Sequence, residues 1–226
     1  MSKIYTMVHR SYSFCCRHYL KTASLDMLIN IFKSTSKDET AILEGRVAPR
    51  FEVLPEAGPV VIKAYKRGGL ISRINNDRYL KIGQIRSRRE FEFLIAAKKA
   101  GVRVPDPVAY ANTGFPFYKT WLITKEIKDH SSFVILCRKN KEKAQALIPE
   151  ISNNINILIN NKIHHVDLHP GNILMDGNNN IYIIDFDKAC LCLKNKARLA
   201  IAYQQRWSRA VHKYKMPEDL AALELG

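Results

Sequence analysis

His165-Val-Asp167-Leu-His-Pro-Gly-Asn172, followed downstream by Ile184-Asp185-Phe-Asp187, is the stretch that decides how this chain folds. Between the two segments lie the apolar runs Ile173-Leu-Met175 and Ile181-Tyr-Ile-Ile184, joined by Asp176-Gly-Asn-Asn-Asn180. Two short apolar runs around so compact a turn predict a β-hairpin. A hairpin returns its ends to one place, so Asp167 and Asn172 before it and Asp185 after it are expected to converge. Converging carboxylate and amide oxygens are hard ligands suited to Mg²⁺, which takes few protein ligands and shares phosphate oxygens. A carboxylate left beside that ion can accept a proton from an attacking hydroxyl. The pattern is the chemical core of a phosphoryl-transfer site.

The spacing H-x-D-x-x-x-x-N and then D-F-x resembles the catalytic and metal-binding loops of the protein-kinase-like superfamily. The resemblance implies that Asp167 is the catalytic base, that Asn172 and Asp185 hold the metal, and that His165 braces the loop. Each residue alone has a plainer reading, Asp167 as a loop cap and Asn172 as a turn support. A zinc cluster built from His164, His165, Asp167 and His169 is the weaker alternative. Neighbours on a short loop diverge in direction, and no distant His or Cys group completes a ligand set.

The kinase reading demands a strand lysine and a helical glutamate upstream. Lys63 stands in the strand-like Val60-Val-Ile-Lys63, and Glu90 in the helix-like run Ser87 to Lys99. Glu92 competes for the lysine, but two positions along a helix it points elsewhere. Further strands are expected at Phe51–Leu54, Val108–Ala111 and Thr120–Ile127. A second helix begins at or kinks around Pro149, with Ile151, Ile155, Leu158 and Ile159 on one face. The expected fold is α+β: a protein-kinase-like bilobal fold with an antiparallel-sheet N-lobe over 41–127 and a compact, mostly helical C-lobe over 128–226. Residues 1–40 are set apart as an unassigned extension in which Leu25 to Phe32 forms one short helix.

The flanking blocks narrow the likeness. Lys66-Arg-Gly-Gly-Leu70, Asp77-Arg-Tyr-Leu80, Arg86-Ser-Arg-Arg-Glu-Phe91, Gly101-Val-Arg-Val-Pro-Asp-Pro-Val-Ala109 and Ile184-Asp-Phe-Asp-Lys188 resemble successive blocks of bacterial 3-deoxy-D-manno-octulosonic acid (Kdo) kinases. That resemblance implies ATP with Mg²⁺ as donor system and a Kdo hydroxyl on a lipid A precursor as acceptor. It also implies peripheral attachment to the cytoplasmic side of the bacterial inner membrane, as a monomer and without nucleic acid. Gly45 is the implied phosphate-loop contact. The family's G-R-G reads Gly45-Arg-Val47 here, and Val47 lacks glycine's access to positive φ. Asp187 either tunes the metal site or meets the acceptor. The alternatives are a small atypical kinase or ATPase of the tRNA-modification machinery, an aminoglycoside-type small-molecule kinase, and a pseudokinase that binds a partner.

Composition suits this. The 226 residues carry 36 Lys plus Arg against 21 Asp plus Glu, a formal charge of +15 that favours anionic partners. No apolar run approaches the roughly 20 residues of a spanning helix, and no secretory signal is read at the start. The five cysteines lack C-x-x-C pairing, which points to unpaired thiols in a reducing, cytosol-facing setting. From Lys188 to Lys215 there are eight Lys or Arg and no acid. A helical projection there puts Leu193, Ala197, Ile201, Trp207, Val211 and Tyr214 on one face and Arg198, Arg206, Arg209 and Lys213 opposite. That basic back is expected to lean on an anionic membrane surface. No Ala-Pro-Glu segment follows Asp185, in keeping with a small or lipid-borne acceptor rather than a polypeptide.

Overall fold

The structure is a computed structural model that describes residues 4–35, 42–43, 46–65, 79–80, 84–115, 117–193 and 195–226. The chain divides into two compact units. The first comprises Met1–Phe91 with Asp106–Glu126, and the second Glu92–Pro105 with Ile127–Gly226.

In the first unit the elements run β1 (Tyr5–His9), β2 (Tyr12–Cys16), α1 (Thr22–Thr35), β3 (Ile42–Leu43), β4 (Arg46–Val47), β5 (Arg50–Leu54), β6 (Gly58–Ala64) and β7 (Tyr79–Leu80). Then come α2 (Arg86–Ala100), which continues into the second unit, β8 (Pro107–Thr113) and β9 (Phe117–Lys125). Antiparallel pairing orders the main sheet β1-β2-β8-β9-β6-β5, with β7 paired to β9. Residues 1–40, set apart in the sequence reading, thus supply two strands of this sheet and a helix. The helix expected at Leu25–Phe32 is the centre of α1.

Strand alternation sends neighbouring residues to opposite faces and decides what each face meets. Val60, Ile62, Ala109, Ala111, Trp121 and Ile123 pack with Leu25, Leu28, Ile29 and Phe32 of α1 in one apolar cluster. Phe32 stacks on Trp121 with ring centroids 4.3 Å apart and planes 12° apart. The residues between them face the other way. Tyr110 meets Phe91 edge-on at 5.3 Å, and the Thr120 hydroxyl meets that of Ser87, both on α2. Lys63, between Ile62 and Ala64, therefore points to the α2 side. The buried stripe of α2 runs Ser87, Glu90, Phe91, Leu94, Ala97, and Lys98 is exposed.

In the second unit the order is β10 (Ser131–Ser132), α3 (Phe133–Lys139), α4 (Lys141–Asn160), β11 (Ile163–His164), β12 (Ile173–Met175), β13 (Ile181–Ile183), β14 (Cys190–Leu191) and α5 (Lys196–Lys213). Asn140 caps α4 by accepting the Lys143 amide at 2.8 Å, and Asn195 caps α5 by accepting that of Arg198 at 2.9 Å. α4 runs through Pro149, and its expected stripe Ile151, Ile155, Leu158 and Ile159 is buried. β12 and β13 form the expected hairpin, pairing Ile173 with Ile183 and Met175 with Ile181. Its turn is closed by Asp176, whose carboxylate accepts the amides of Asn178 and Asn180 at 2.9 Å each.

The C-terminal helix differs from its sequence projection. Leu193 is 95% and Ile201 56% exposed, while Leu199, Tyr203, Trp207, Ala210 and Val211 form the buried face. Trp207 and Val211 of the expected face are buried, but Leu193, Ala197 and Ile201 are exposed, so the true face is rotated toward Leu199 and Tyr203, away from the centre that puts Arg206 on a solvated back. Arg206 in fact flanks the buried face and turns into the loop described below. All five cysteines are free thiols.

Candidate active site

The hairpin does what its ends require. The Ile184 amide donates to the Asn172 carbonyl at 3.0 Å, which brings the residues flanking the two strands together. The Asn172 side-chain amide donates to the Asp167 carbonyl at 3.0 Å and its main-chain amide to that of His169 at 2.8 Å. Asn172 is 4% exposed, and with its Nδ2 committed its Oδ1 is the atom left to ligate a cation. Asp185 follows in the left-handed region, at φ 67° and ψ 57°. Asp tolerates that region better than most non-glycine residues, yet at a cost of roughly 1–2 kcal/mol. Strain of this kind is retained where the carboxylate's direction matters. Asn172 Oδ1 and the Asp185 carboxylate are hard oxygens of the kind that would hold Mg²⁺. Among the described residues no group of three or more His, Cys, Asp or Glu side chains forms a denser metal site, so the zinc alternative gains nothing.

His165 is 2% exposed. Its Nε2 lies 2.9 Å from the Ile184 carbonyl, which accepts its proton, and its ring stands edge-on to Phe186 at 4.5 Å. Burial holds the imidazole below its ordinary pKa despite that hydrogen bond, so it is neutral. His165 thereby joins the strand entering the loop to the residue before Asp185, a bracing geometry. The Tyr203 phenol from α5 secures the same point, accepting the His165 amide and donating to the Ile163 carbonyl, each at 2.8 Å.

Asp167 is ringed by cations. Arg206 Nη2 donates to Oδ1, and Lys188 Nζ lies 3.6 Å from Oδ2. Burial works to raise the Asp167 carboxyl, but the hydrogen bond and charge of Arg206, with Lys188 and His169, outweigh it and hold the group below the ordinary carboxylate range. Sequence reasoning missed Arg206, which no spacing motif marks, and Tyr203. Lys188 appeared only as the basic end of the Ile184–Lys188 block.

The first unit holds the other expected pair. Lys63 Nζ donates to Glu90 Oε2 at 2.9 Å and to Oε1 at 3.2 Å. Glu90 is 3% exposed and also accepts the Tyr65 hydroxyl, while the Lys63 ammonium sits 5.1 Å from the centre of the Tyr65 ring. Glu92 is exposed. Phe51 and Val53 lie opposite Val61 and Pro59 in the β5–β6 register, on the Lys63 face, and are 53% and 63% exposed. Gly45, and the basic residues Lys66, Arg67, Arg73, Arg78 and Lys81 between β6 and α2, lie outside the described residues.

An antiparallel sheet with a Lys–Glu pair, and a hairpin framed by an H-x-D-x-x-x-x-N loop and an Asp-Phe turn, define a protein of the protein-kinase-like class. Comparison with known proteins places it more closely. The model of the lipopolysaccharide kinase (Kdo/WaaP) family matches residues 32–206, and the chain belongs to that family.

Among similar proteins is the 3-deoxy-D-manno-octulosonic acid kinase of Vibrio vulnificus (strain YJ016), 34% identical over 64% of this chain and 61% of the relative. The protein of the same name from Vibrio parahaemolyticus serotype O3:K6 (strain RIMD 2210633) is 32% identical over 70% of this chain and 66% of the relative. That from Xylella fastidiosa (strain 9a5c) is 30% identical over 67% and 61%. The chain thus spans between 61% and 66% of the length of these relatives.

Proposed function

We propose that the chain is an ATP-dependent kinase that phosphorylates a Kdo hydroxyl of a lipid A precursor in lipopolysaccharide core synthesis. The observation that carries this reading is the closed loop in which Asn172 is tied both to Asp167 and to the strand leading to Asp185. Asp167, kept ionised by Arg206 and Lys188, orients the acceptor hydroxyl and takes its proton. The hydroxyl oxygen bonds to the γ-phosphorus, the bond from that phosphorus to the β–γ bridging oxygen breaks, and ADP leaves. Lys63, held by Glu90, offsets charge on the phosphate oxygens. Mg²⁺, held by Asn172 and Asp185, would supply further charge neutralisation. Phe51 and Val53 offer an apolar surface beside Lys63 that suits a nucleobase. Gly45 is the proposed backbone contact to the phosphates.

The acceptor is membrane-borne in this reading, so the protein works as a peripheral monomer at the cytoplasmic side of the inner membrane. One feature supports attachment: exposed Leu193 and Ile201 share the α5 region with the exposed Lys196, Arg198 and Arg209. Flotation with vesicles containing anionic lipid should carry the protein, and neutral vesicles should not. The activity itself is tested with labelled ATP and a Kdo-bearing lipid A precursor. Labelled lipid is expected, and its absence with Asp167→Ala; ATP hydrolysis with no labelled lipid would redirect the search to another acceptor.

A further inference from the structure

Two cations confront one carboxylate at Asp167, and neither pairs with another carboxylate among the described residues. The Arg206 side chain is 31% exposed, that of Lys188 60% and that of Asp167 19%. A guanidinium carries five N–H donors in a planar fork, and Arg206 donates to Asp167 through Nη2. The group therefore has donors remaining, one positive charge more than Asp167 offsets, and access to solvent, all beside the carboxylate assigned to proton transfer.

We infer that Arg206 and Lys188 form an oxyanion subsite that seats an anionic group of the acceptor next to Asp167. The inference rests on the kinase reading above and deepens it. Arg matches carboxylate and phosphate geometry with two parallel N–H bonds, and Lys adds a mobile point charge. The proposed acceptor carries both chemistries: the Kdo carboxylate lies a few bonds from that sugar's hydroxyls, and the lipid A precursor bears phosphates. An anion seated on Arg206 places a hydroxyl of the same molecule at Asp167 without any loop rearrangement. The arrangement also gives the two cations different tasks. Arg206, tied to α5 and touching Oδ1, sets the position; Lys188, from the turn after β13, contributes charge.

The test is steady-state kinetics of the full chain with three acceptors: the Kdo-bearing lipid A precursor, its Kdo methyl ester, and the precursor stripped of its phosphates. Arg206→Gln is expected to raise the acceptor KM about 10- to 100-fold, the range for losing a charge-assisted hydrogen bond, and to leave the KM for ATP unchanged. Arg206→Lys should restore part of the loss, and Lys188→Gln should show a smaller rise. If the seated anion is the sugar carboxylate, the ester is a poor acceptor for the wild type and Arg206→Gln makes it no poorer. If it is a lipid phosphate, the stripped precursor shows that pattern instead. A fall in kcat at unchanged acceptor KM, or equal KM rises with all three acceptors, overturns the subsite. A wild-type chain that phosphorylates none of them overturns the Kdo-lipid acceptor of the proposed function and the subsite with it. Thermal unfolding of each variant separates these outcomes from misfolding, and Arg206→Lys keeps the test available should Arg206→Gln fail to fold.

Discussion

The Tyr203 hydroxyl stands 2.8 Å from the His165 amide and 2.8 Å from the Ile163 carbonyl, so a side chain of α5 closes a main-chain gap at the entrance to the Asp167 loop. Three residues further along the same helix, Arg206 reaches Asp167 itself. α5 thus holds the loop at two points, one neutral and buried, the other charged and half-buried. Tyr203→Phe would leave a buried amide and a buried carbonyl without their partner. The expected cost is about 1–3 kcal/mol in chemical denaturation, with activity falling along with it. An unchanged midpoint would mean that the phenol contributes little to the loop.

Acid should weaken the fold through His165. Its folded-state pKa lies below the ordinary value because the ring is buried, so the unfolded chain takes up the proton first as pH falls. The neutral ring's contribution is complete above about pH 6.5 and declines below it. Denaturation midpoints at pH 7.5 and 5.5 should show the loss, and His165→Gln should flatten it while lowering stability at both values.

Lys63→Met should reduce turnover about 10²- to 10³-fold, the range seen when one donor to developing charge is removed, with the sheet intact by circular dichroism. Glu90→Gln should lie between Lys63→Met and wild type, since the amide still accepts from Tyr65 and Lys63 but no longer offers a charge. Activity equal to wild type in Lys63→Met would remove the lysine from the mechanism.

Asp185→Gly separates chemistry from scaffold. Glycine relieves the left-handed backbone at φ 67° and removes the carboxylate. The fold should persist by circular dichroism, while activity should be lost and should not recover at any Mg²⁺ concentration. Activity near that of the wild type would remove Asp185 from the metal site.

Much of this was readable from residue order, for physical reasons. The hairpin, its turn and the convergence of Asn172 with the strand before Asp185 are local, and local turns leave a compositional signature. The Lys63–Glu90 pair follows from strand alternation and helix periodicity once a kinase-like loop supplies the reason to look. The N-terminal strands were not legible, because a weakly periodic basic stretch gives no hint that β2 will pair with β8, a partner nearly 100 positions away. Arg206 escaped for a different reason. Exposed Leu193 and Ile201 biased the helical projection, and apolar side chains on a surface are common enough to mislead it.

The stacking of Phe32 on Trp121 has a practical side. The shared family region begins at residue 32, within the last turn of α1, so a gene trimmed to that border would keep both rings of the stack, Phe32 as its first residue, but discard Leu25, Leu28 and Ile29, which bury the same sheet face. Laboratories shortening this protein for expression should cut ahead of Tyr5 rather than where the likeness starts, or a greasy β-surface will be left facing water.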